Sequence, residues 1–338
     1  MKAVITGGAG YIGTLLACEL ARRGELTGRS GALEPLDSLI VIDPAIREDH
    51  VLTYEGAKLP VSFQSGSVTD REFLRKVIRE PGTSVFHLAS VLTGVTERDI
   101  ATALSVNVDG TRNLLEILTE LGEGSRMVIT SSVTVYRRDA DDAMITDATA
   151  TQPRSVYGLT KLISENLVSA FQYMRKVDGR CARLSTVVIR PKKIGTSAGA
   201  AISDALRDVV LGRDCEICVS EKTRTAFIDY ESCVNGLIRL HEVERDALAG
   251  NPIVNFPALT ASLEEMVAAA GTIAEKNGYR AGQASFKPES FAQGTIDSWP
   301  TVVDGTRAEA LGIHCKPTME QICEDFVRDY RTFWTQVA

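Results

Sequence analysis

The feature that most constrains this chain is the run Thr6-Gly7-Gly8-Ala9-Gly10-Tyr11-Ile12-Gly13. It stands between an apolar segment at 2–6, which reads as a strand, and a helical pattern at 11–23. Gly7 permits a tight turn, Gly10 lets the backbone approach a diphosphate, and Gly13 lets helix and strand pack closely. A turn so placed ends on a helix N-terminus, where free N–H groups and the helix dipole favour an anion. The chain is therefore predicted to open with a nucleotide-binding turn at the head of a parallel sheet.

The following residues continue that pattern. Segments 38–43, 84–89 (SVFHLA) and 126–131 (RMVITS) read as buried strands, with an amphipathic helix over 107–121. A long helix over 155–175 leads to a strand over 185–190 that stops at Pro191. Near-continuous apolar strands alternating with helices predict an α/β fold with a doubly wound parallel sheet. Beyond Pro191 the pattern is irregular, with helices expected at 229–244, 262–276 and 317–334 and a short strand at 253–256. The predicted organisation is a main domain of residues 1–190, rejoined by 228–256. A smaller C-terminal substrate lobe is formed by 191–227 and 257–338.

The chain has 338 residues, 44% of them apolar and 24% charged, which is ample for a core. A net charge of −7 offers no electrostatic footprint for nucleic acid. No stretch approaches the roughly 18 apolar residues of a membrane span. The N-terminal apolar run is broken by glycines, unlike a secretory signal, so the expected compartment is cytoplasmic. Seven cysteines are scattered through the chain. Cys215 and Cys218 form a CxxC with no second pair, and alternating Cys215, Ile217 and Val219 read better as one face of a strand. His50, His87, His241 and His314 have no metal-ligand spacing, and no metal is predicted.

The second strand is expected to end at Asp43. A carboxylate there accepts hydrogen bonds from both ribose hydroxyls of NAD and repels the 2′-phosphate of NADP. No Arg or Lys directly follows it, so NAD is the expected cofactor. The spacing from Gly13 is lengthened by a Gly- and Pro-containing insertion over 24–35.

Tyr157 and Lys161 are one helical turn apart on the same face. A phenol of pKa about 10 is a weak base at neutral pH. An ammonium about 4 Å away, at an effective dielectric near 20, stabilises the phenolate by roughly 4 kcal/mol before desolvation subtracts. Ser132, after a buried strand, is placed to hydrogen-bond the reacting oxygen. Asn107 is expected to begin the preceding helix, where a backbone carbonyl or water is held. Such a Tyr/Lys spacing occurs in many helices; its company on a nucleotide-binding sheet singles it out.

These segments resemble the extended short-chain dehydrogenase/reductase superfamily, also called the NAD-dependent epimerase/dehydratase family. The similar motifs are TGGAGYIG, HLAS at 87–90, NVDGTRNLL at 107–115, SSVTVY at 131–136 and YGLTK at 157–161. The resemblance covers about the first 190 residues and implies a Rossmann sheet. It implies cofactor contacts from Gly7, Gly10, Tyr11, Ile12, Gly13, Asp43, Val68, Leu88, Ala89, Asn107, Tyr157 and Lys161. Ser67 stands where relatives often have an Asp facing the adenine, and is expected to contact the cofactor there. The resemblance also implies Ser131 and Ser132 beside the substrate. Relatives are often dimers through a two-helix-per-subunit bundle, which implies a homodimer. Within the superfamily, RRGELTGRSGALEPLDSLIVID, RLSTVVIRPKK and SWPTVVDGTRAEALGI look like D-erythronate dehydrogenases, which oxidise a four-carbon sugar acid. Pro191-Lys192-Lys193-Ile194-Gly195 departs from that group's Pro-Gly-Lys-Pro-Asn turn.

The expected function is an NAD-dependent oxidation of a secondary hydroxyl in a small sugar acid, with Tyr157 as general base. Arg190, Lys192 and Arg224 are candidates to neutralise the carboxylate of that small-molecule substrate. A nucleotide-sugar 4-epimerase would use the same three residues, and an NAD-sensing regulator is a third reading.

Overall fold

The computed structural model describes residues 1–28, 30–47, 57–122, 124–138, 143–191 and 198–330. The chain forms two compact units. The first comprises Met1–Val135, Ser155–Arg183 and Val234–Val254; the second comprises Tyr136–Arg154, Leu184–Cys233 and Asn255–Ala338.

In the first unit, β1 (Lys2–Thr6) runs into α1 (Tyr11–Arg23), and β2 (Ser38–Ile42) and β3 (Val61–Gln64) follow, then α2 (Arg71–Val77) and β4 (Ser84–His87). The helix α3 (Gly110–Glu120), β5 (Arg126–Ser132), α4 (Val156–Tyr173) and β6 (Asp178–Leu184) complete the main alternation. After an excursion, α5 (Tyr230–Glu242) leads to β7 (Ile253–Asn255). The seven strands lie in the order β7-β6-β5-β4-β1-β2-β3. The β1–β2, β1–β4, β2–β3 and β4–β5 registers all run parallel. The order reverses direction at β1, the switch point where open α/β sheets bind ligands. This is the doubly wound Rossmann sheet expected from the sequence.

The core forms because apolar residues fall on one face of each helix. Leu114, Leu115, Ile117 and Leu118 of α3 pack on Val85, Met127 and Ile129 of the strands. Each fully buried side chain of this size stabilises the fold by about 2 kcal/mol. His87 is buried in the same layer, bonded to Thr6 Oγ1 at 2.7 Å and Thr111 Oγ1 at 3.0 Å. The insertion after α1 is an antiparallel hairpin, Glu25–Thr27 against Leu33–Pro35.

Two expectations are corrected. The strand predicted over 185–190 is displaced: the main-sheet strand is β6 (Asp178–Leu184), and Thr186–Val188 pairs with Arg224–Asp229 in a separate three-stranded sheet of the second unit. Charges concealed the true strand. Arg180 is fully buried, bonded to Asp178 and to the carbonyls of Leu240 and His241 at the end of α5. The sequence also assigned all residues before 190 to the main domain. Residues 136–154 instead belong to the second unit, where Met144–Ile145 pairs with Val302–Val303.

The second unit is built around that three-stranded sheet, in which Arg224–Asp229 is central and Leu259–Ser262 antiparallel to it. Ala198–Val210, Leu263–Lys276 and Met319–Asp329 are its longer helices. Ser262 and Glu265 form a reciprocal capping box at the start of the second of these. Cys215–Ile217 is a strand paired with Ala284–Phe286, while Cys218 and Val219 follow it in a bend, so the expected strand is shorter than read; both cysteines are free thiols.

Candidate active site

The glycine turn is set by close backbone approach. Gly7 has φ +74°, and a Cβ there would lie 2.5 Å from the Ala89 nitrogen. A Cβ on Gly13 would lie 2.3 Å from the Gly7 carbonyl oxygen, so this glycine closes the turn on itself. Gly10 is the N-cap of α1 and makes no side-chain cap bond, and a Cβ there would approach only the Gly7 oxygen, at 3.1 Å. Gly8 was not singled out from the sequence, yet its Cβ would fall 2.0 Å from Val41 Cγ1. The doubled glycine in TGGAG was the available signal.

Asp43 directly follows β2, one residue later than the strand ends. Its carboxylate accepts from the Ala9 N–H at 3.2 Å and the Ala45 N–H at 2.9 Å, beside the glycine turn. An uncapped helix N-terminus next to a carboxylate fits a dinucleotide, with diphosphate on the helix and ribose on the acid. Tyr11 and Val68 are buried, whereas Ile12, Leu88 and Ala89 are half-buried around the turn and the exit of β4. The Val68 carbonyl accepts from Asn113 at 3.1 Å. Ser67 closes a local turn, its hydroxyl bonded to Thr69 Oγ1 at 2.8 Å.

The start of α4 is held by two caps. Ser155 accepts from the Gly158 N–H at 3.0 Å, and Glu97 accepts from the Val156 N–H at 2.8 Å and the Tyr157 N–H at 3.4 Å. Tyr157 is half-buried on the first turn. Lys161 lies one turn on, with its Nζ 5.5 Å from the Tyr157 ring centre. That amine donates to the Thr130 carbonyl of β5 at 2.8 Å. Burial pushes the Lys161 amine down to about 8, against the opposing pull of Glu165. Ser132 is the last residue of β5, and its hydroxyl accepts from the Thr134 N–H at 3.2 Å, which leaves its own proton to donate.

Asn107 does not begin a helix. It lies inside a π-helical turn, Leu104–Asp109, that precedes α3. Wide turns of this kind recur at functional sites because they redirect one residue. Here the Asn107 side chain bonds both backbone groups of Val91 and donates to Thr160 at 3.0 Å. Its carbonyl accepts from Thr111 at 2.7 Å and Ser164 at 2.9 Å. That carbonyl is thus engaged by protein hydroxyls.

The substrate candidates fare unevenly. Ser131 turns away from Ser132 and donates to the buried Glu165 at 2.5 Å, so its hydroxyl is committed to the interior. Arg190 belongs to the second unit, its backbone N–H bonded to Ser203 at 2.7 Å. Arg224, in the same unit, is 41% exposed at its side chain and stands 4.0 Å from Glu265. Lys192 lies outside the described residues.

A nucleotide turn, a strand-end acid and a Ser, Tyr and Lys set on one parallel sheet define a protein of the short-chain dehydrogenase/reductase class. The chain belongs to the NAD dependent epimerase/dehydratase family, whose model matches residues 3–255. It is 31% identical to a D-erythronate dehydrogenase of Cupriavidus necator, over 97% of this chain and 98% of that one. A D-erythronate dehydrogenase of Haemophilus influenzae is 26% identical over 97% of this chain and 99% of that one. Among solved structures, a nucleoside-diphosphate-sugar epimerase from Agrobacterium tumefaciens superposes with a TM-score of 0.84 at 26% identity, covering 97% of this chain and 94% of that one. Membership implies a nicotinamide cofactor. Among the described residues no helix is long and apolar enough to cross a membrane.

Proposed function

We propose that this chain is an NAD-dependent dehydrogenase that oxidises a secondary hydroxyl of a small sugar acid of the D-erythronate kind. The observation that carries the reading is the buried Lys161, fixed to the Thr130 carbonyl beside Tyr157 and two residues from Ser132. Tyr157 removes the hydroxyl proton, helped by the Lys161 charge. Ser132 donates to the same oxygen and holds it as it becomes a carbonyl. A nicotinamide cofactor, when bound, supplies the acceptor for the hydride that leaves the carbon. Asp43 is proposed to select NAD over NADP. The sugar-acid assignment draws on the 31% identity to a D-erythronate dehydrogenase along nearly the whole chain. A free acid carries one carboxylate to be matched by a cation, and Arg190 is the candidate residue. We place the enzyme in the cytoplasm.

The test is a spectrophotometric screen for NADH formation with D-erythronate, other short hydroxy acids and UDP-sugars. NADH from a four-carbon acid is the expected result. Interconversion of UDP-sugars without net NADH would instead establish an epimerase. Tyr157→Phe should lower turnover by about 100-fold or more, the range for a placed general base, with NAD binding kept.

A further inference from the structure

Behind Tyr157 and Lys161 lies a group of side chains to which the chemistry above gives no role. Glu165 is one turn beyond Lys161 on the same face of α4, and none of its surface reaches solvent. Arg183 of β6 holds it with a two-point grip, Nε to Oε1 at 2.8 Å and Nη2 to Oε2 at 2.7 Å. Ser131 of β5 donates to the same carboxylate at 2.5 Å. One acid therefore ties together a helix and two strands.

The strand it grips is the one the site depends on. Thr130, which receives Lys161, and Ser132, which presents the hydroxyl, are the two neighbours of Ser131 in sequence. Stability alone does not call for such an arrangement, because a buried ion pair often contributes no more than well-packed apolar residues of the same volume. Electrostatics supplies another reason. The charged and titratable groups facing Lys161, among the described residues, are Tyr157 and Glu165 on its own helix, Cys181 on β6 and His87 on β4, with Arg183 of β6 behind them against Glu165 and Cys181. Burial keeps the His87 imidazole and the Cys181 thiol neutral. The counter-charge that opposes the cost of burying the lysine is Glu165.

We propose that Glu165 is a positioning residue: gripped by Arg183 and bonded to Ser131, it sustains the Lys161 ammonium inside the protein and fixes the strand end that presents Ser132. This rests on the reading of Tyr157 and Lys161 as the reacting pair.

The experiment compares kcat/KM against pH for the wild type, Glu165→Gln, Arg183→Gln and the double variant, with D-erythronate and NAD. The wild-type profile should fall on the alkaline side as Lys161 loses its proton. In Glu165→Gln the counter-charge is gone and the Arg183 charge stands alone, so that fall should move to lower pH by about one unit, a tenfold loss on the alkaline side. In Arg183→Gln the carboxylate is no longer neutralised, and the fall should move to higher pH. Opposite movements are what a purely structural pair cannot produce. Alkaline limbs that stay in place, or move together, overturn the proposal. Either single variant leaves a buried charge unpaired and can fail to fold. The double variant keeps the shape without the charges and should move the limb down by less than Glu165→Gln; an unmoved limb there overturns the proposal by itself. Tyr157→Phe separates the two readings. An active Tyr157→Phe removes the base assignment, whereas an inactive one beside unmoved limbs removes only the role of Glu165.

Discussion

Asn107 grips Val91 by both ends of one amide, accepting from its N–H at 2.9 Å and donating to its carbonyl at 3.1 Å. Val91 follows β4 by four residues, so the grip fixes the chain leaving the strand beside which the Gly7 turn also packs. Asn107→Ala should destabilise the protein by about 2–3 kcal/mol, since each lost bond to a partly buried group costs roughly 1 kcal/mol. Activity should fall more than tenfold. Asn107→Asp keeps the acceptor and should be intermediate in urea melts. An Ala variant as stable as wild type would show the grip to be idle.

Lys161 should weaken the fold it serves. With its amine pushed from 10.5 to about 8 by burial, the charged form costs roughly 3 kcal/mol, at about 1.4 kcal/mol per unit. Below pH 8 the lysine is charged both folded and unfolded, so that cost is fully present. Between 8 and 10.5 the folded chain sheds its proton first, and the cost shrinks until both states are neutral. Lys161→Met should therefore be inactive yet melt a few degrees higher than wild type at pH 7, less the lost bond to Thr130. The gain should vanish above pH 10.5. Calorimetry at pH 7 and pH 11 distinguishes this from ordinary repacking, which would give the same difference at both.

His87 sets an acid limit. Burial, with the Lys161 charge nearby, lowers its imidazole from 6.5 to about 3. Above pH 6.5 the ring is neutral in both states. As pH falls from 6.5 toward 3 only the unfolded chain gains the proton, so stability is lost at up to about 1.4 kcal/mol per pH unit. His87→Gln, which retains a donor and an acceptor for Thr6 and Thr111, should be less stable than wild type at pH 7 and close the gap by pH 4.5. Parallel losses for the two proteins in urea titrations would contradict this.

Asp43→Ser combined with Pro44→Arg should narrow the preference for NAD over NADP at least tenfold, by removing the ribose acceptor and adding a cation for the 2′-phosphate. The ratio of kcat/KM values for the two cofactors measures it. Equal use of both cofactors by the wild type would leave Asp43 no selecting role.

What the sequence made legible follows from which forces leave a periodic trace. β1 and α1 were readable to the residue because an apolar run, three spaced glycines and an amphipathic helix meet without interruption. Tyr157 and Lys161 share a helix, so their relation is a spacing. β6 was misplaced because Arg180 and Arg183 interrupt its apolar pattern, and only Asp178 and Glu165, brought in by folding, make those charges tolerable inside. The same distance hid the partnership of Glu165 and Arg183, although the turn from Lys161 to Glu165 was open to inspection. The π-helical turn at Asn107 left no trace in the periodicity, and the Val91 grip that accompanies it is a tertiary contact. Ser131 and Ser132 are neighbours whose side chains leave the strand on opposite faces, and the Glu165 that receives the Ser131 hydroxyl is brought to it only by folding.

The first unit is not finished when α4, the helix of Tyr157 and Lys161, has been made. β6 finds its outer neighbour only in β7, and the Arg180 guanidinium finds the carbonyls of Leu240 and His241 only at the end of α5. A nascent chain emerging from the ribosome thus carries the edge of β6, with a buried-type arginine at its centre, through the synthesis of the whole intervening segment. Long-range closure of this kind slows folding and leaves an open strand edge in the interval. The seven-stranded sheet therefore gains its last strand only once Ile253–Asn255 has been synthesised, after the Leu184–Cys233 segment of the second unit.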